Sequence, residues 1–576
     1  MVGSRAALGS LAGAAVAAAI AFVIKPMFEP PLIGVGFVTE HAYPKGWDYA
    51  TYTLLVLGAA LGAWLLHNPD TPPATSNQQR ATTIVTACAV FIAMLFVHDH
   101  PYQHMDPFHE GEHLTPAWLF LDGQRPFGDV FLLHGLGVDG GLDALVGGQP
   151  LYTRRLQTVL DAATLALLVP IAAEVTATSL GLIAAVLVSL CGVAAFWVPV
   201  FPYFRLAPVL LAGWGLLRFA RTRSTLALFG AFASGALGIL WSLDTGTYAF
   251  VGTAVVVVLM NEWRRGWLGA VALVLPLLVL LVVRADIPQF LRDSFVIIPH
   301  AIDAVWSLPA PDPLSAAGVR YYLPPVFYGL ILAIGWKRRD PRMLILAVLS
   351  IVLFRTAAGR VSWSHTRFAT PLLGIAFVAF VLEPRFGWRA NVGGGRPPAN
   401  RQPPTANRSR IALALLALGA VAYFEILQNA MAGAKLIAQW PARQRHEGMV
   451  RHPLVPGIYS APDNATTLAT LKNYVDALGD GPILDLTNER ALYFLLKRKP
   501  PMRAFDIPML SSYELFIPAM AELQANPPVC VILGGEPAVA VFDGVPNEQR
   551  VPELFQWVNA NYTKRTEIGR FIVASR

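Results

Sequence analysis

The chain has 576 residues, of which 55% are hydrophobic and only 14% charged, and its formal net charge is +7. Apolar residues recur in blocks of about 20, the length that crosses roughly 30 Å of hydrocarbon, so the composition excludes an ordinary soluble protein and indicates a polytopic membrane protein. A basic net charge would suggest a nucleic-acid partner in a soluble protein. Here the basic residues lie in short loops between apolar blocks, and no nucleic-acid partner is expected.

Thirteen apolar segments are predicted to be membrane helices. In chain order they cover residues 6–24, 49–67, 81–97, 156–175, 178–200, 206–217, 225–241, 246–261, 267–283, 321–336, 343–358, 367–383 and 410–428. The small residues of the first segment, with Arg5 before it, also fit a cleaved signal peptide, but continuing hydrophobicity downstream favours a retained helix. The sequence therefore predicts a mainly α-helical bundle of about thirteen transmembrane helices over residues 1–428.

Basic residues between the predicted helices indicate the orientation. Lys and Arg are concentrated in residues 218–223, 261–266, 336–342 and 384–410, and short loops of this kind face the cytoplasm. An amino terminus in the cytoplasm places all four on that side. We therefore expect a multi-pass protein of the cell inner (cytoplasmic) membrane, surrounded by membrane lipids, with its carboxy terminus outside.

Two regions outside the predicted bundle differ in composition. Residues 384–409 are rich in Gly, Pro, Asn and Arg and have few apolar residues to bury, so we expect a disordered cytoplasmic loop. Residues 429–576 have an ordinary composition, with strand patterns in PILDLT, VCVILGG and FIVASR and a helical pattern in ERALYFLLKRK. They predict a small extracytoplasmic α/β domain. The chain has only 3 cysteines, which indicates no disulfide framework.

The first large loop, residues 98–155, begins with HDHPYQHMDPFHEGEH, a run of histidines and carboxylates. A hydrated loop that is simply rich in histidine is one interpretation. A metal site is another, because histidine and carboxylate ligands at close spacing suit zinc or manganese. His104, His109 and His113 are the candidate ligands, while no cofactor is required by the pattern.

A short helix is predicted next in the same loop. Thr115 and Pro116 have the pattern of an N-cap followed by proline at the first helical position. The apolar residues 117–121 would then form a helix that ends at Gly123 and lies along the membrane surface.

The segment FHEGEHLTPAWLFLDGQRPFGDVFLLHG resembles the first external loop of the GT-C glycosyltransferases, specifically the family that includes protein O-mannosyltransferases and bacterial aminoarabinose transferases. That family opens the loop with an acidic pair and a glycine, and a glycine, aromatic and aspartate signature follows. His109 stands where the family has its leading aspartate. The residues that match are Glu110, Gly111, Gly123, Phe127 and Asp129. SLDTGTYAF, GRVSWSHTRFATPLLG and TNERALYFLLKRKPPMR resemble later parts of the family in the same order.

The resemblance implies a membrane glycosyltransferase that moves a sugar from a polyprenyl-phosphate donor to a glycan, lipid or protein acceptor on the outer face. Such a transfer needs a carboxylate base for the acceptor hydroxyl and cations for the departing phosphate. Glu110 is the first candidate for the base, followed by Asp129 and Asp106. The candidates for phosphate binding are Arg360, His365, Arg367 and Arg205, and those for lining the site are His109, Glu112 and Asp244.

Two other classes of protein remain as alternatives. A transporter would also have many spans and a few buried charges, but its halves should repeat, and no repeat is evident. A scaffold that assembles a polymer without catalysis is the second alternative, and His109 in place of the family aspartate is the feature that favours it. Convergence of the acidic and basic candidates on one external cavity would favour the enzyme.

Overall fold

The computed structural model describes residues 10–18, 20–21, 45–66, 77–99, 105–176, 178–195, 202–306, 308–382, 426–443, 445, 448–535 and 541–576. The predicted loop 384–409 lies outside these ranges, as do His104, most of the span predicted at 410–428 and both ends of the span predicted at 6–24.

Helices account for most of the described chain up to residue 443. They are α1 (Lys45–Leu66), α2 (Asn77–His98), α3 (His109–Leu121), α4 (Leu142–Leu145), α5 (Pro150–Ala166), α6 (Leu168–Val175), α7 (Ser179–Gly192), α8 (Ala207–Thr222), α9 (Thr225–Trp241), α10 (Leu243–Leu259), α11 (Trp267–Ala272), α12 (Val274–Val282), α13 (Ile287–Arg292), α14 (Ile298–Trp306), α15 (Ala316–Arg338), α16 (Pro341–Gly359), α17 (Trp363–Phe368), α18 (Leu373–Leu382), α19 (Ile426–Ala438) and α20 (Trp440–Arg443). Single turns at Gly137–Gly141, Tyr203–Leu206, Trp263–Arg265 and Asp293–Ile297 have other helical geometries.

Apolar helices of membrane-spanning length are present among the described residues. Five helical stretches are long and apolar enough to cross a membrane: Ala81–His98, Pro150–Val175, Trp263–Val282, Ala317–Arg338 and Pro341–Gly359. Four shorter apolar helices accompany them, at Ala50–Leu61, Ser179–Gly192, Thr225–Trp241 and Leu243–Leu259. The prediction of a polytopic helical membrane protein is confirmed, whereas the count of thirteen spans stays a prediction.

Hydroxyl side chains fix the starts of several of these helices. Thr178 accepts a hydrogen bond from the backbone N–H of Gly181, and Ser224 accepts one from that of Ala227. Such caps satisfy amide groups that the first helical turn leaves without a partner.

The carboxy-terminal residues form a small α/β domain, as predicted. Its elements are β1 (Val450–Arg451), β2 (Tyr459–Ser460), α21 (Pro462–Ala477), β3 (Ile483–Asp485), α22 (Ala491–Leu496), α23 (Tyr513–Ala525), β4 (Cys530–Gly534), β5 (Val541–Phe542), β6 (Val545–Pro546), α24 (Asn547–Arg550), α25 (Pro552–Asn561), β7 (Lys564–Ile568) and β8 (Phe571–Ser575). The main sheet has the order β3-β4-β8-β7, in which β3 and β4 are parallel and the other pairs antiparallel.

The first loop and the carboxy-terminal domain share one hydrophobic core. Leu114 and Phe127 of the loop belong to the same buried cluster as Leu492 and Tyr493 of the domain. Backbone hydrogen bonds also cross the boundary, since Ala491 N donates to the carbonyl of Pro107 over 3.0 Å. The domain is therefore packed against the loop, and residues of both face one another.

The predicted start of the helix in the first loop is wrong. The helix begins at His109, six residues before Thr115, and Pro116 lies inside it. Asp106 provides the start instead, because its carboxylate accepts the backbone N–H groups of Phe108 and His109 over 3.1 Å. Thr115 donates its hydroxyl to the carbonyl of Arg490 over 2.8 Å, so it joins the loop to the carboxy-terminal domain.

Candidate functional site

A small cavity lies where the first loop meets the carboxy-terminal domain. Glu112, His134 and Asp139 line it from the loop, and Arg490 and Asp506 line it from the domain. Its volume is about 30 Å³, which is room for one or two water molecules. Arg490 joins the two sides, because its Nη1 lies 2.6 Å from Glu112 Oε1 and its Nη2 lies 3.1 Å from Asp506 Oδ1.

Asp506 forms an ion pair with Arg490 but lacks well-aligned hydrogen bonds. It is buried, and among the described residues no donor, Arg490 included, meets hydrogen-bond geometry with either of its oxygens. Burial raises the pKa of Asp506 to about 6, against the lowering effect of the Arg490 charge. A carboxyl group with a pKa near neutrality can accept or release a proton where enzymes operate.

His134 and Asp139 form a buried pair on the opposite wall. His134 Nδ1 lies 3.0 Å from Asp139 Oδ1, and the backbone N–H of His134 donates to Asp139 Oδ2 over 2.6 Å. Burial lowers the pKa of His134, but the Asp139 carboxylate outweighs burial and leaves that pKa raised. The imidazole therefore stays protonated to higher pH than an ordinary histidine.

Arg205 and Asp244 extend this polar region toward the helical bundle. Arg205 Nη2 lies 3.1 Å from Asp244 Oδ2, and Ser242 donates to Asp244 Oδ1 over 2.7 Å. The Arg205 guanidinium acts on the pKa of His134, and so does Glu112. The Arg205–Asp244 pair and the His134–Asp139 pair are thus close enough to act as one electrostatic unit.

His365 lies in the same unit and is uncharged at neutral pH. Burial, followed by the charges of Arg360 and Arg205, lowers the pKa of His365 to about 3. Its Nδ1 lies 2.7 Å from the hydroxyl oxygen of Ser362, which also caps the helix Trp363–Phe368. His365 is therefore a neutral hydrogen-bonding group, and its role in phosphate binding stays a prediction.

Arg360 is held by a hairpin of the carboxy-terminal domain. The hairpin joins β5 to β6 through Asp543 and Gly544, both with positive φ, as tight two-residue hairpins require. Asp543 binds the Arg360 guanidinium through both oxygens, at 2.6 and 2.7 Å. The ring of Phe542 lies beside Arg360 and also beside Arg550, at 5.4 and 5.2 Å from the guanidinium carbons.

Arg550 is a fully buried cation next to this hairpin. Its Nη2 donates to the carbonyl of Phe542 over 2.7 Å, whereas its Nε and Nη1 have no hydrogen-bond partner in the described part of the chain. Burial lowers the pKa of Arg550 to about 10, although Asp543 and Asp506 both oppose the change. Arg550 therefore links the Arg360 group to the cavity around Arg490.

Glu110, the first candidate for the base, is bound by a buried arginine. Its Oε1 lies 2.6 Å from Arg154 Nε, and its Oε2 lies 3.0 Å from Arg154 Nη2. Oε2 also accepts the backbone N–H of Asp106 over 2.8 Å. A carboxylate bound by two nitrogens of one guanidinium is fixed in position, and most of its lone pairs already accept hydrogen bonds.

Asp106 and His109 form a more accessible pair beside it. Asp106 Oδ2 lies 2.6 Å from His109 Nδ1, and the two side chains are 51% and 41% exposed. The Nε2 atom of His109 has no hydrogen-bond partner among the described residues. The rings of His109 and Phe108 are in edge contact, and the Arg490 guanidinium stacks on the Phe108 ring at 4.2 Å. The pair therefore adjoins the cavity around Arg490.

Asp129 lies apart from this cluster. It pairs with Arg125, an exposed residue four positions earlier in the chain, with Oδ1 3.2 Å from Nη2. Arg367 is buried and stacks on Trp363 at 4.3 Å. The structure thus brings together Glu112, Asp244, Arg205, Arg360 and His365, and leaves Asp129 at the periphery.

Two of the histidines proposed as metal ligands, His109 and His113, have a carboxylate partner. His113 Nδ1 lies 2.9 Å from Asp143 Oδ2, and His109 is paired with Asp106. Among the described residues, no three His, Cys, Asp or Glu side chains are grouped so that they could hold a metal ion. His104 lies outside those residues, so the metal site stays a prediction.

A second and larger cavity is lined in part by Met105 and Pro107 of the first loop. Its volume is about 430 Å³. The lining residues are Met105, Pro107, His452, Ala461, Asn464, Leu468, Glu489, Leu495 and Arg570. Glu489 and Arg490 are consecutive, and they face the larger and the smaller cavity respectively.

Sequence reasoning missed the contribution of the carboxy-terminal domain. Arg490, Asp506, Asp543 and Arg550 all belong to it, and none was a candidate. Arg490 lies inside TNERALYFLLKRKPPMR, the stretch that resembles an external domain, so one signal was available. The positions of the other three residues depend on how the domain packs against the bundle, and no local sequence pattern indicates that packing.

Comparisons with known proteins find similar solved structures but no family. The chain is similar to the crystal structure of ArnT from Cupriavidus metallidurans in the apo state, with a TM-score of 0.48 and 14% sequence identity over 85% of this chain and 97% of that one. No family model matches the sequence, and no curated protein matches it.

Proposed function

We propose that the protein is a membrane glycosyltransferase that transfers a sugar from a polyprenyl-phosphate donor to an acceptor on the outer face of the inner membrane. One observation carries the proposal. Acidic and basic residues from distant parts of the chain meet in a single buried group between the helical bundle and the carboxy-terminal domain. Burying so many charges is costly unless they are paired or used, which favours a working site over a scaffold.

The charges of this group are divided in a way that suits a phosphate donor. Arg205 is paired with Asp244 and Arg360 with Asp543, and the charge of Asp543 also acts on Arg550. We propose that the phosphate of a membrane lipid reaches these three arginines from the bundle side. The planar, fork-like pairing of Asp543 with Arg360 is one that a phosphate can also make. We infer that the donor phosphate takes the place of Asp543 on Arg360.

The acid–base group is best assigned to His109, positioned by Asp106. Both oxygens of Glu110 are bound by Arg154, whereas His109 Nε2 is accessible and its Nδ1 is held by Asp106. In the proposed step His109 Nε2 takes the proton of the acceptor hydroxyl, and the oxygen of that hydroxyl attacks the sugar carbon. The bond from that carbon to the phosphate oxygen breaks, and the polyprenyl phosphate leaves with the electron pair.

Transfer and donor binding test the function as a whole. The purified full chain in lipid nanodiscs should transfer radiolabelled sugar from a polyprenyl-phosphate donor to a bacterial envelope extract. Arg360→Gln should weaken donor binding about tenfold or more, because a charge-assisted bidentate pair is lost. Arg223→Gln is the control, since Arg223 pairs with Glu262 at the surface. Absence of transfer with every donor tested, or equal donor binding in Arg360→Gln, would contradict the proposal.

The pH profile tests the base. Burial lowers the pKa of His109, but Asp106 and Glu112 outweigh burial and Arg490 and leave it raised. A base works when deprotonated, so the transfer rate should rise as pH passes through this pKa. Asp106→Asn should move that rise to lower pH, which loss of a purely structural contact would not do. His109→Ala should lower the rate by roughly 10² to 10⁴, and His109→Asp should restore part of it. If Glu110→Gln abolishes transfer while His109→Ala has no effect, Glu110 is the base.

A further inference from the structure

We propose that the larger cavity binds the acceptor, and that the acceptor is a neutral, polyhydroxylated molecule such as the end of a glycan. The proposal rests on the proposed function and names the class of its second substrate. The cavity volume of about 430 Å³ lies within the range of about 300–1,000 Å³ that is usual for small-molecule sites. The location of the cavity and the residues that line it indicate which class of ligand it binds.

The position places this cavity next to the proposed base. Met105 and Pro107, which flank Asp106, form part of its wall. His109 follows two residues after Pro107 and adjoins the smaller cavity through Phe108 and Arg490. A molecule in the larger cavity would therefore lie next to the Asp106–His109 pair.

The charges of the lining cancel. Glu489 binds Arg570 through both oxygens, with distances of 3.0 and 2.7 Å. The neighbouring charges, Arg154 and Glu110, are likewise paired with each other. An anionic ligand would find no surplus cation here, in contrast with the group around Arg360, so a neutral ligand is favoured.

His452 supplies a donor that is neutral and fixed in orientation. It is buried, and burial followed by the charge of Arg154 lowers its pKa to about 4. Its Nδ1 accepts the backbone N–H of Leu454 over 3.2 Å. Because the neutral ring carries one proton, that proton is on Nε2, which is available to donate.

Asn464 completes the polar part of the lining. Its Oδ1 accepts from Arg570, and its Nδ2 donates to the Ser460 hydroxyl over 3.0 Å. Each Glu489 oxygen retains a lone pair beyond its bond to Arg570. Acceptors and donors set among apolar side chains such as Leu468 and Leu495 suit a sugar, whose rings present both hydroxyls and C–H faces.

Binding of small glycosides to the full chain in nanodiscs tests the proposal without a donor. The probes are the methyl glycosides of glucose, galactose, mannose and arabinose, with glucose 1-phosphate as the anionic comparison, and binding is measured by saturation-transfer NMR. We expect at least one neutral glycoside to bind. Asn464→Leu, which has a similar volume but no hydrogen-bonding groups, should weaken that binding about tenfold.

Two further variants sharpen the result. Thr466→Leu is the matched control, because Thr466 is exposed on the same helix and does not line the cavity; its binding should equal that of the natural chain. Glu489→Gln leaves Arg570 unneutralised, so preference should move toward glucose 1-phosphate, and this variant also serves if Asn464→Leu does not fold. Failure of all four glycosides to bind, or equal binding by Asn464→Leu, would overturn the acceptor cavity.

Failure of the proposed function gives a different pattern. In that case the glycosides bind as expected and are lost in Asn464→Leu, but no sugar is transferred from any polyprenyl-phosphate donor. If instead transfer occurs and Asn464→Leu leaves the acceptor KM unchanged, the enzyme assignment holds and the acceptor cavity is wrong.

Discussion

At the scale of single residues, Asp506 is a carboxylate kept in a position that disfavours its charge. Burial moves its pKa from 3.8 to about 6, so the folded chain binds a proton that the unfolded chain releases between these values. The stabilisation that the Asp506 carboxyl contributes to folding is therefore fully present below about pH 4 and is lost as pH rises through about 6. An enzyme gains a proton-exchanging group at the cost of stability at neutral pH.

Asp506→Asn should therefore stabilise the protein at high pH. The cost removed at pH 8 is about 3 kcal/mol, from a change of about 2 pH units at about 1.4 kcal/mol each, while at pH 4 the two forms should differ little. Thermal unfolding in detergent at both pH values measures this. A melting temperature that falls equally at pH 4 and pH 8 would mean that the Asp506 charge stabilises the fold.

The candidate residues were only partly predictable from sequence. The motif at Glu110 and His109 lies in the loop that lines the smaller cavity, and Arg205, Asp244 and Arg360 lie at ends of helices near it, but their roles stay predictions. Sequence could not show that Glu110 is bound by Arg154, because the two residues are 44 positions apart and the contact depends on how α3 packs on α5. The role of a residue depends on its partners, and the sequence does not specify distant partners.

At the scale of elements, helix α3 is the part that joins the first loop to the carboxy-terminal domain. Gly111 lies where α3 crosses the start of α22, and a Cβ atom at this position would lie 2.2 Å from Ala491 N and 2.7 Å from Arg490 C. The family-like glycine after Glu110 thus has a physical reason in this chain. Only a glycine allows the two backbones to approach so closely.

Gly111→Ala should destabilise the contact and lower transfer. The added methyl group meets backbone atoms that cannot rotate away, so we expect a loss of about 1–3 kcal/mol, as in overpacked cores, and displacement of Arg490. Melting temperature and transfer rate are the measurements. Gly230→Ala is the control, because nothing lies within 4 Å of its added Cβ, and it should be neutral. Equal stability of both variants would show that α3 and α22 can separate freely.

Element boundaries explain the error at Thr115. Thr115–Pro116 has the form of a capping residue before proline, but this local form does not by itself fix where a helix begins. The helix begins at His109, and Pro116 lies within it, where burial of Leu114, Ala117 and Leu119 offsets the missing hydrogen bond. Tertiary packing thus overrides the local signal.

At the scale of the whole molecule, the carboxy-terminal domain is attached by a buried ion pair. Arg503 binds Asp293, which is fully buried, with Nη2 3.2 Å from Oδ1, and its Nη1 donates to the carbonyl of Phe127 over 3.0 Å. One guanidinium thus holds the first loop, the segment after α13 and the domain together. Lys499 and Asp122 form a second pair across the boundary, about half exposed.

Arg503→Met should loosen the domain. It leaves Asp293 buried without its cation, which typically costs about 3–5 kcal/mol. Lys499→Met, at the exposed pair, should cost less than about 1 kcal/mol. Unfolding in denaturant and the rate of trypsin cleavage between the bundle and the domain measure both. If the two variants behave alike, the docking depends on the shared apolar core alone.

The orientation of the whole chain is a separate prediction. The placement of basic loops predicts the amino terminus in the cytoplasm and residue 576 outside, so a fused alkaline phosphatase after Arg576 should be active and a fused green fluorescent protein dark. The reverse pattern would invalidate the topology and the outer location of the site. Composition and hydrophobic block length were enough to predict a polytopic bundle with a small α/β domain, because those properties are local along the chain.

The consecutive residues Glu489 and Arg490 carry a consequence for how the two cavities communicate. Their side chains face different cavities although a single peptide unit joins them. If a ligand in one cavity shifts this peptide unit, the same shift moves the side chain that lines the other cavity. No change in the helical bundle is needed. The same arrangement makes the segment intolerant of length changes, because one residue inserted before Glu489 would bring the carboxylate to the position of Arg490 and move the guanidinium out of the smaller cavity.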